Sequence, residues 1–201
     1  MAVHSEHSSY REKLLEHLFI GEVLRYLWCQ GVATAEFLRP EVDSGGYDLV
    51  IECNRIIRHI QLKSSFRGAK TARQNVNIRL DEKPSGCVVW VVFDETTLEL
   101  GPFLWYGGRP GEPIPDIQSL PVAKHTKGNA LGVKAERPNM RVLKRGLFEA
   151  VTTLPELVSR LFGSVVAAPT KASGRVVGDF QSFGPNQQMQ HTGPASRLSE
   201  A

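Results

Sequence analysis

Three polar residues within one short stretch have the chemistry to bind a divalent cation and a phosphate. Asp48 begins one apolar run, residues 48–51, and Gln61 and Lys63 end the next, residues 56–63. Both runs are rich in β-branched residues, which favours two strands. If these strands pair, Asp48 lies beside Gln61 and Lys63. An acid, an amide oxygen and a cation at one place suit a hard divalent metal and a phosphate group.

The alternation of side chains along a strand refines this prediction. Gln61 and Lys63 are two residues apart, so they are expected on one face, whereas Leu62 is expected to point into the core. The alternative is that Lys63 is an edge lysine whose charge reaches solvent and that Gln61 is a solvated strand residue. On an isolated strand that interpretation would be preferred.

A helix predicted over residues 9–28 precedes these strands. Ser8 or Ser9 can cap it, with Glu12 completing a capping box. Glu22 lies at the edge of its apolar stripe, and burying an unpaired carboxylate costs several kcal/mol. Glu22 therefore calls for a partner such as a metal or Lys63, unless it is simply a surface glutamate. Glu12 and Glu16 are the runner-up acids of this helix for the site, but they are expected to face solvent.

The order helix, strand, strand with these residues resembles the PD-(D/E)XK nuclease superfamily. Asp48 corresponds to its first acid, and Gln61-Leu62-Lys63 corresponds to its second half in the Gln-X-Lys form of Mrr-type nucleases. Gly21-Glu22 and Gly31 also stand where related families carry them. The resemblance covers residues 10–95 and departs from the main pattern at Tyr47, in place of Pro, and at Gln61, in place of an acid. It implies a restriction-endonuclease-like α/β fold, with a central mixed β-sheet flanked by helices.

The resemblance also implies a site for Mg²⁺ or Mn²⁺. In that site Asp48 is the main metal ligand, Glu22 contributes directly or through water, and Gln61 contributes its side-chain oxygen. The backbone carbonyl of Leu62 completes the protein ligands. Lys63 orients or helps deprotonate the attacking water and balances phosphate charge. The implied catalytic set is therefore Glu22, Asp48, Gln61 and Lys63.

Two functions follow as hypotheses. The first is a metal-dependent nuclease that hydrolyses phosphodiester bonds in DNA, in restriction, repair or mobile-element defence. The second is a non-catalytic nucleic-acid-binding or assembly module that retains the nuclease fold, since Gln61 replaces a carboxylate. Nucleases of this fold often act as dimers, so a homodimer and a partner subunit of a defence system both stay open.

The charge is unevenly distributed although the net charge is only +3. Residues 53–80 carry seven Lys or Arg and no acid, and residues 121–146 carry seven against one Glu. Such segregation predicts a basic face that suits a polyanion, although solvated loops and strand edges would give the same pattern. The residues after the motif are the predicted DNA contacts: Ser64, Ser65, Arg67, Lys70, Arg73 and Asn75.

The bulk properties indicate one globular domain. A chain of 201 residues with 41% hydrophobic content can bury a sizeable core. We expect a nuclease domain over residues 1–163 and a disordered C-terminal tail over residues 164–201, which is rich in Ser, Gly, Pro and Gln. Three scattered cysteines fit neither a disulfide framework nor a zinc site. No apolar signal core or membrane-length run is visible, so a cytoplasmic location is expected.

The remaining elements are predicted from periodicity and turn signals. Strands are expected over residues 32–38, 76–80 and 88–92, the last covered on both faces. Residues 64–72 are expected to be a polar loop, and residues 101–121 a loop-rich insertion. A closing helix is predicted over residues 153–162, with Thr153 as its cap.

Overall fold

The protein is described as a computed structural model, which covers residues 7–42, 44–127, 130 and 132–165. The predicted tail falls outside the described residues from residue 166 onward. Within the described part there are two α-helices and nine strands. The helices are α1 (Ser8–Cys29) and α2 (Leu154–Phe162). The strands are β1 (Glu36–Leu38), β2 (Leu49–Cys53), β3 (Ile56–Phe66), β4 (Arg73–Asn77), β5 (Gly86–Phe93), β6 (Leu100–Gly107), β7 (Val122–Lys124), β8 (Glu136–Lys144) and β9 (Glu149–Val151).

Six strands form a central mixed sheet in the order β1-β2-β3-β5-β6-β9. The pair β3 and β5 is parallel, and the other neighbours in this sheet are antiparallel. A second sheet has three strands in the order β4-β8-β7. The predicted fold class, a mixed sheet flanked by helices, is confirmed.

Strand β5 shows how the layers are arranged. Its alternate residues Val89 and Val91 pack in a core with Phe19 and Val23 of α1 and Leu161 of α2. The intervening residues pack on the second sheet: Val88 and Trp90 share a core with Val76 and Leu143. Every residue of β5 is buried because both faces of the central sheet are covered, as its apolar sequence predicts.

A hairpin joins β2 to β3. Asn54 and Arg55 have φ values of 51° and 66°, which is the left-handed geometry of a two-residue type I′ turn. The turn pairs Leu49 with Ile60 and Val50 with His59. This register sets Asp48 next to the stretch that contains Gln61 and Leu62. The predicted pairing of these two strands is confirmed.

Several boundary predictions were wrong. Helix α1 begins after His7, whose side chain makes no cap hydrogen bond, so the Ser–Glu12 capping box does not form. Strand β3 runs on to Phe66 through the expected loop. Residues 78–82 form a 3-10 helix instead of continuing a strand. Residues 100–107 form β6, a strand of the central sheet, where a loop-rich insertion was expected.

The closing helix was predicted correctly. Helix α2 begins after Thr153, whose hydroxyl accepts a hydrogen bond from the N–H of Glu156. Its C-terminal carbonyls are capped from the central sheet by Arg58, which is fully buried. The Arg58 guanidinium donates to the carbonyls of Leu161 at 2.8 Å and Arg160 at 3.1 Å. Arg58 therefore ties β3 to α2, and burial lowers its pKa.

No helix among the described residues is long and apolar enough to cross a bilayer.

Candidate active site

The candidate site is a cleft of about 430 Å³ at the place where β2 ends and β3 continues. Helix α1 forms one wall, β3 forms the floor, and β4 closes one side. We call it the Asp48 cleft. Its lining residues are Glu12, Lys13, Leu15, Glu16, Asp48, Leu62, Lys63, Ser64, Gln74 and Val91.

The end of the β2–β3 ladder explains the position of Asp48. The last ladder pair in this direction is Leu49 with Ile60, and the N–H of Asp48 still donates to the carbonyl of Ile60 at 2.9 Å. Beyond this point the N–H of Leu62 has no strand residue opposite it. The Asp48 carboxylate accepts that N–H at 2.7 Å through Oδ2. A half-buried acid is thereby fixed at the floor of the cleft.

Two residues before Asp48, a glycine makes this approach possible. Gly46 has a φ of 77°, and a Cβ there would lie 3.0 Å from the side chain of Asn77 and 3.2 Å from the backbone nitrogen of Leu80. A larger residue would therefore be strained and would push β2 away from the start of the 3-10 helix. Gly46 belongs to the site because its conformation sets the position of Asp48.

Tyr47 is held firmly beside Asp48. Its ring meets the imidazole of His59 edge-on, with 5.0 Å between the centroids, and the ammonium of Lys83 lies 5.4 Å from the centre of the Tyr47 ring. Burial, and secondarily the charge of Lys83, lowers the pKa of His59. The lowered pKa favours a neutral imidazole on β3, the strand that also carries Lys63.

Asp48 and Lys63 line the same cleft, as the sequence predicts. Gln61 is placed differently: only 6% of it is exposed, and it is not among the lining residues. Its Oε1 accepts the N–H of Asn77 at 3.1 Å. That bond ties β3 to the end of β4. Leu62 reaches the cleft and also packs against the core on the helix side.

The structure does not bring Glu22 to this cleft, so that part of the prediction was wrong. Glu22 is ion-paired with Arg25 of its own helix and lines a separate cleft of about 360 Å³ with Leu98, Leu100 and Leu154. We call this the Glu22 cleft. At 100° per residue, Glu22 is rotated by about 120° from Glu16 around the helix axis. The two acids therefore face different clefts.

Glu12 and Glu16 reach the Asp48 cleft instead, one helical turn apart. Glu16 is only 6% exposed, which contradicts its prediction as a solvent-facing acid. Its carboxylate lies 2.7 Å from Nε of Arg39 and 2.9 Å from Nζ of Lys13. Glu12 is exposed at the mouth of the cleft. Glu12 and Glu16 each precede a core-facing residue, Leu15 and Phe19, by three positions, and this spacing was the sequence signal for this face.

The six predicted DNA contacts lie in different surroundings. Ser64 lines the cleft, whereas Ser65 is buried and its hydroxyl accepts the indole N–H of Trp90 at 2.9 Å. Arg67 is exposed, donates to the carbonyl of Gly101 and lies 3.7 Å from the Asp94 carboxylate.

The other three predicted contacts lie near the start of the second sheet. Lys70 and Arg73 are exposed, and Asn75 is half-buried on β4. Gln74, between Arg73 and Asn75, lines the cleft.

The donor chemistry of the Asp48 cleft bears on the implied metal. Mg²⁺ is commonly held by one or two carboxylates together with several waters. Asp48 and Glu12 offer such carboxylates at one cleft, while Glu16 already neutralises two cations. Among the described residues no group of three or more His, Cys, Asp or Glu side chains is arranged to hold a metal. Any cation held there would depend on water for most of its ligands, because the described residues form no cage of protein ligands.

Comparison with known proteins found little similarity. No family model matches the chain, and no curated protein matches it. Among solved structures it is similar to the bacterial homing endonuclease I-Ssp6803I, with 20% identity and a TM-score of 0.28. The match covers 61% of this chain and 82% of that chain. At this level of similarity the activity of the neighbour does not transfer to this chain.

Proposed function

We propose that this chain is a metal-dependent nuclease of the PD-(D/E)XK type, in its Gln-X-Lys form, which hydrolyses phosphodiester bonds in DNA. The observation that carries the proposal is the convergence of Asp48, Lys63 and Glu12 on one open cleft at the end of the β2–β3 ladder. These are the chemical groups that phosphodiester hydrolysis requires: oxygen donors for a hard cation and a cation for the phosphate.

Asp48 and Glu12 are the residues that would hold Mg²⁺ or Mn²⁺. The hydrogen bond from the N–H of Leu62 occupies one carboxylate oxygen of Asp48 and fixes its direction. A carboxylate oriented in this way loses less conformational entropy when it binds a ligand. A bound Mg²⁺ supplies charge neutralisation at the phosphate and lowers the pKa of its water.

Lys63 is the residue proposed to act on the attacking water and on the phosphate. It lines the cleft from β3, two residues beyond Gln61, where β3 has run past the end of β2 and is paired on one side, with β5. The eight-residue parallel ladder fixes the backbone from which the Lys63 ammonium extends. A cation placed where negative charge develops stabilises a phosphoryl transition state.

Gln61 takes a positioning role in this proposal. Its oxygen accepts the N–H of Asn77, and Asn77 also caps the 3-10 helix that packs against Gly46. Gln61 thereby links the strand of Lys63 to the turn that precedes Asp48. An amide can make this contact without placing a charge in a buried position, which explains why a carboxylate is not required here.

The function is tested by plasmid cleavage in Mg²⁺ and in Mn²⁺. We expect the wild type to cut, and we expect Asp48→Asn and Lys63→Met each to lower the cleavage rate by about 10²-fold or more. Glu22→Gln is the matched control because it removes one carboxylate from the same helix at the other cleft. It is expected to cut at the wild-type rate. Equal cleavage by wild type, Asp48→Asn and Lys63→Met would overturn the proposal.

A second candidate function is a non-catalytic DNA-binding or assembly module. The favouring observation is that Glu16 is engaged by Arg39 and Lys13, which leaves few free carboxylates in the cleft. Metal titration separates the two functions. A folded wild type that binds DNA with a steep salt dependence, but neither binds Mn²⁺ nor cuts, would establish the second.

A further inference from the structure

A group of three cations lies where the second sheet meets the Asp48 cleft. Arg73 begins β4, Lys144 ends β8, and Arg145 follows it in the chain. All three side chains are exposed. We call this group the basic rim.

Two observations place the basic rim next to the cleft. Gln74 lines the cleft, and its neighbour Arg73 projects from the opposite, outer face of the same end of β4. On the other side the guanidinium of Arg145 lies 5.1 Å from the centre of the Trp90 ring. Trp90 is the register partner of Lys63 in the β3–β5 ladder, so their side chains leave the same face of the sheet.

The rim residues are held in place by backbone pairing. Arg73 and Lys144 are directly opposite each other in the antiparallel β4–β8 ladder. The N–H of Arg145 donates to the carbonyl of Ala72 at 2.9 Å, which continues the pairing by one residue. The backbone of the rim is therefore fixed by the second sheet.

The charge arrangement of the rim is unfavourable in the protein alone. Like charges directly opposite each other in a sheet destabilise the pair. Arg73, Lys144 and Arg145 form no ion pair with any acid in the described part of the chain. Other exposed arginines do have such partners, as Arg160 has Glu149 and Arg79 has Glu82. An anion that binds across Arg73 and Lys144 relieves the repulsion between them.

We propose that Arg73, Lys144 and Arg145 bind neighbouring phosphates of a DNA backbone and so align the strand over Lys63. The choice of DNA as the polyanion rests on the proposed function. A chain of phosphates fits because the three cations extend from the outer face of the second sheet round its end to the Lys63 side. The contacts are to phosphate and therefore carry no sequence information.

The test measures equilibrium binding of a random-sequence DNA duplex by fluorescence anisotropy. The measurements are made in EDTA over a range of salt concentrations. Each phosphate contact contributes a slope of about −0.9 to the plot of log K against log salt. The triple variant Arg73→Gln/Lys144→Gln/Arg145→Gln is expected to make the slope shallower by about 2 to 3. At about 0.1 M salt its affinity is expected to fall by about tenfold or more.

The matched control removes three exposed arginines from other parts of the protein: Arg55→Asn, Arg109→Gln and Arg160→Gln. It changes the net charge equally and is expected to leave the slope within about one unit of wild type. Circular dichroism and thermal unfolding of both triple variants show that each is folded. If the rim variant unfolds, two milder variants take its place. The charge-retaining Arg73→Lys/Arg145→Lys is expected to keep the wild-type slope. The single Lys144→Gln is expected to have a slope about one unit shallower.

The outcomes separate this proposal from the nuclease proposal. Equal slopes for wild type and the rim variant overturn the rim proposal, whether or not the wild type cuts DNA. Equal slope losses in the rim variant and its charge-matched control also overturn it, because net charge alone then explains binding. A wild type that fails to cut but shows the expected slope loss overturns the nuclease proposal alone.

Discussion

Helix α1 contributes acids to two clefts, and the clefts differ in what lies opposite the acid. In the Asp48 cleft, Glu12 and Glu16 face the end of β2 and the exposed continuation of β3. In the Glu22 cleft, Glu22 faces mostly leucine side chains and the segment 97–100, and it is neutralised by Arg25 one turn away. The surroundings of an acid on α1 therefore depend on its position around the helix axis. Its place at the edge of the apolar stripe does not determine them.

The two clefts also differ in how backbone groups are satisfied. At the Asp48 cleft a strand ends beside a strand that continues, so the N–H of Leu62 requires a side-chain acceptor, and Asp48 supplies it. At the Glu22 cleft the turn after β5 satisfies its own backbone, since Asp94 accepts the N–H groups of Thr96 and Thr97. These bonds, above all that from Thr97, lower the pKa of Asp94. Asp94 therefore stabilises the turn, and it is not among the residues that line the Glu22 cleft.

The largest difference is expected from removing one helix acid at each cleft. Glu12→Gln deletes a carboxylate that lines the Asp48 cleft and should slow cleavage by about 10- to 100-fold, the range found when groups that support a metal site are lost. Glu22→Gln should change the rate less than about twofold. Single-turnover cleavage of a labelled duplex with saturating enzyme measures both. A slower Glu22→Gln beside an unaffected Glu12→Gln would reverse the assignment of the clefts.

The ion pairs of the two clefts should differ in stability as well. Arg39→Met leaves the buried Glu16 with Lys13 as its remaining cation and should lower the free energy of unfolding by about 1–3 kcal/mol. Arg25→Met breaks an exposed i,i+3 pair and should lower the free energy of unfolding far less. Urea unfolding at pH 7 gives both values. Equal losses in the two variants would show that the burial of Glu16 has no energetic consequence.

The smallest effect is expected in the pH dependence of stability, and it comes from His59 on the strand of Lys63. Burial lowers the pKa of His59, so the unfolded chain takes up a proton before the folded one as the pH falls. The stability that comes from neutral His59 is complete above about pH 6.5, the usual pKa of histidine, and is lost as the pH falls toward the folded pKa. His59→Phe should therefore reduce the fall in melting temperature between about pH 7 and pH 5.

His125→Gln is the control for this measurement, since His125 is exposed. It should leave the pH dependence of the melting temperature as it is in the wild type. A pH dependence that is the same in His59→Phe and the wild type would mean that other groups dominate the titration.

Local pattern was sufficient for the elements nearest the site. The β-branched runs gave β2 and β3, the continuous apolar run gave β5, and Thr153 with Pro155 gave the start of α2. Asp48 and Lys63 could be predicted to lie close together because strand alternation and pairing register are properties of short sequence stretches. Their placement in one cleft follows from the hairpin at Asn54 and Arg55.

Other features depend on tertiary contacts that the local sequence does not contain. The choice between Glu12, Glu16 and Glu22 depends on how α1 is rotated on the sheet, and three buried residues of α1 at positions 19, 23 and 27 fix that rotation. The strand β6 was missed because its Gly and Pro residues indicate a loop, whereas pairing with β5 and β9 on both sides overrides this local preference. The second sheet was missed for the same reason.

Calorimetry of Mn²⁺ binding to the folded protein, without DNA, tests the metal assignment most directly. We expect the wild type to bind Mn²⁺ and Asp48→Asn to bind it about tenfold or more weakly. We expect Glu22→Gln to bind Mn²⁺ as the wild type does. Unchanged binding in Asp48→Asn, or loss of binding in Glu22→Gln, would contradict the assignment of the cation to the Asp48 cleft.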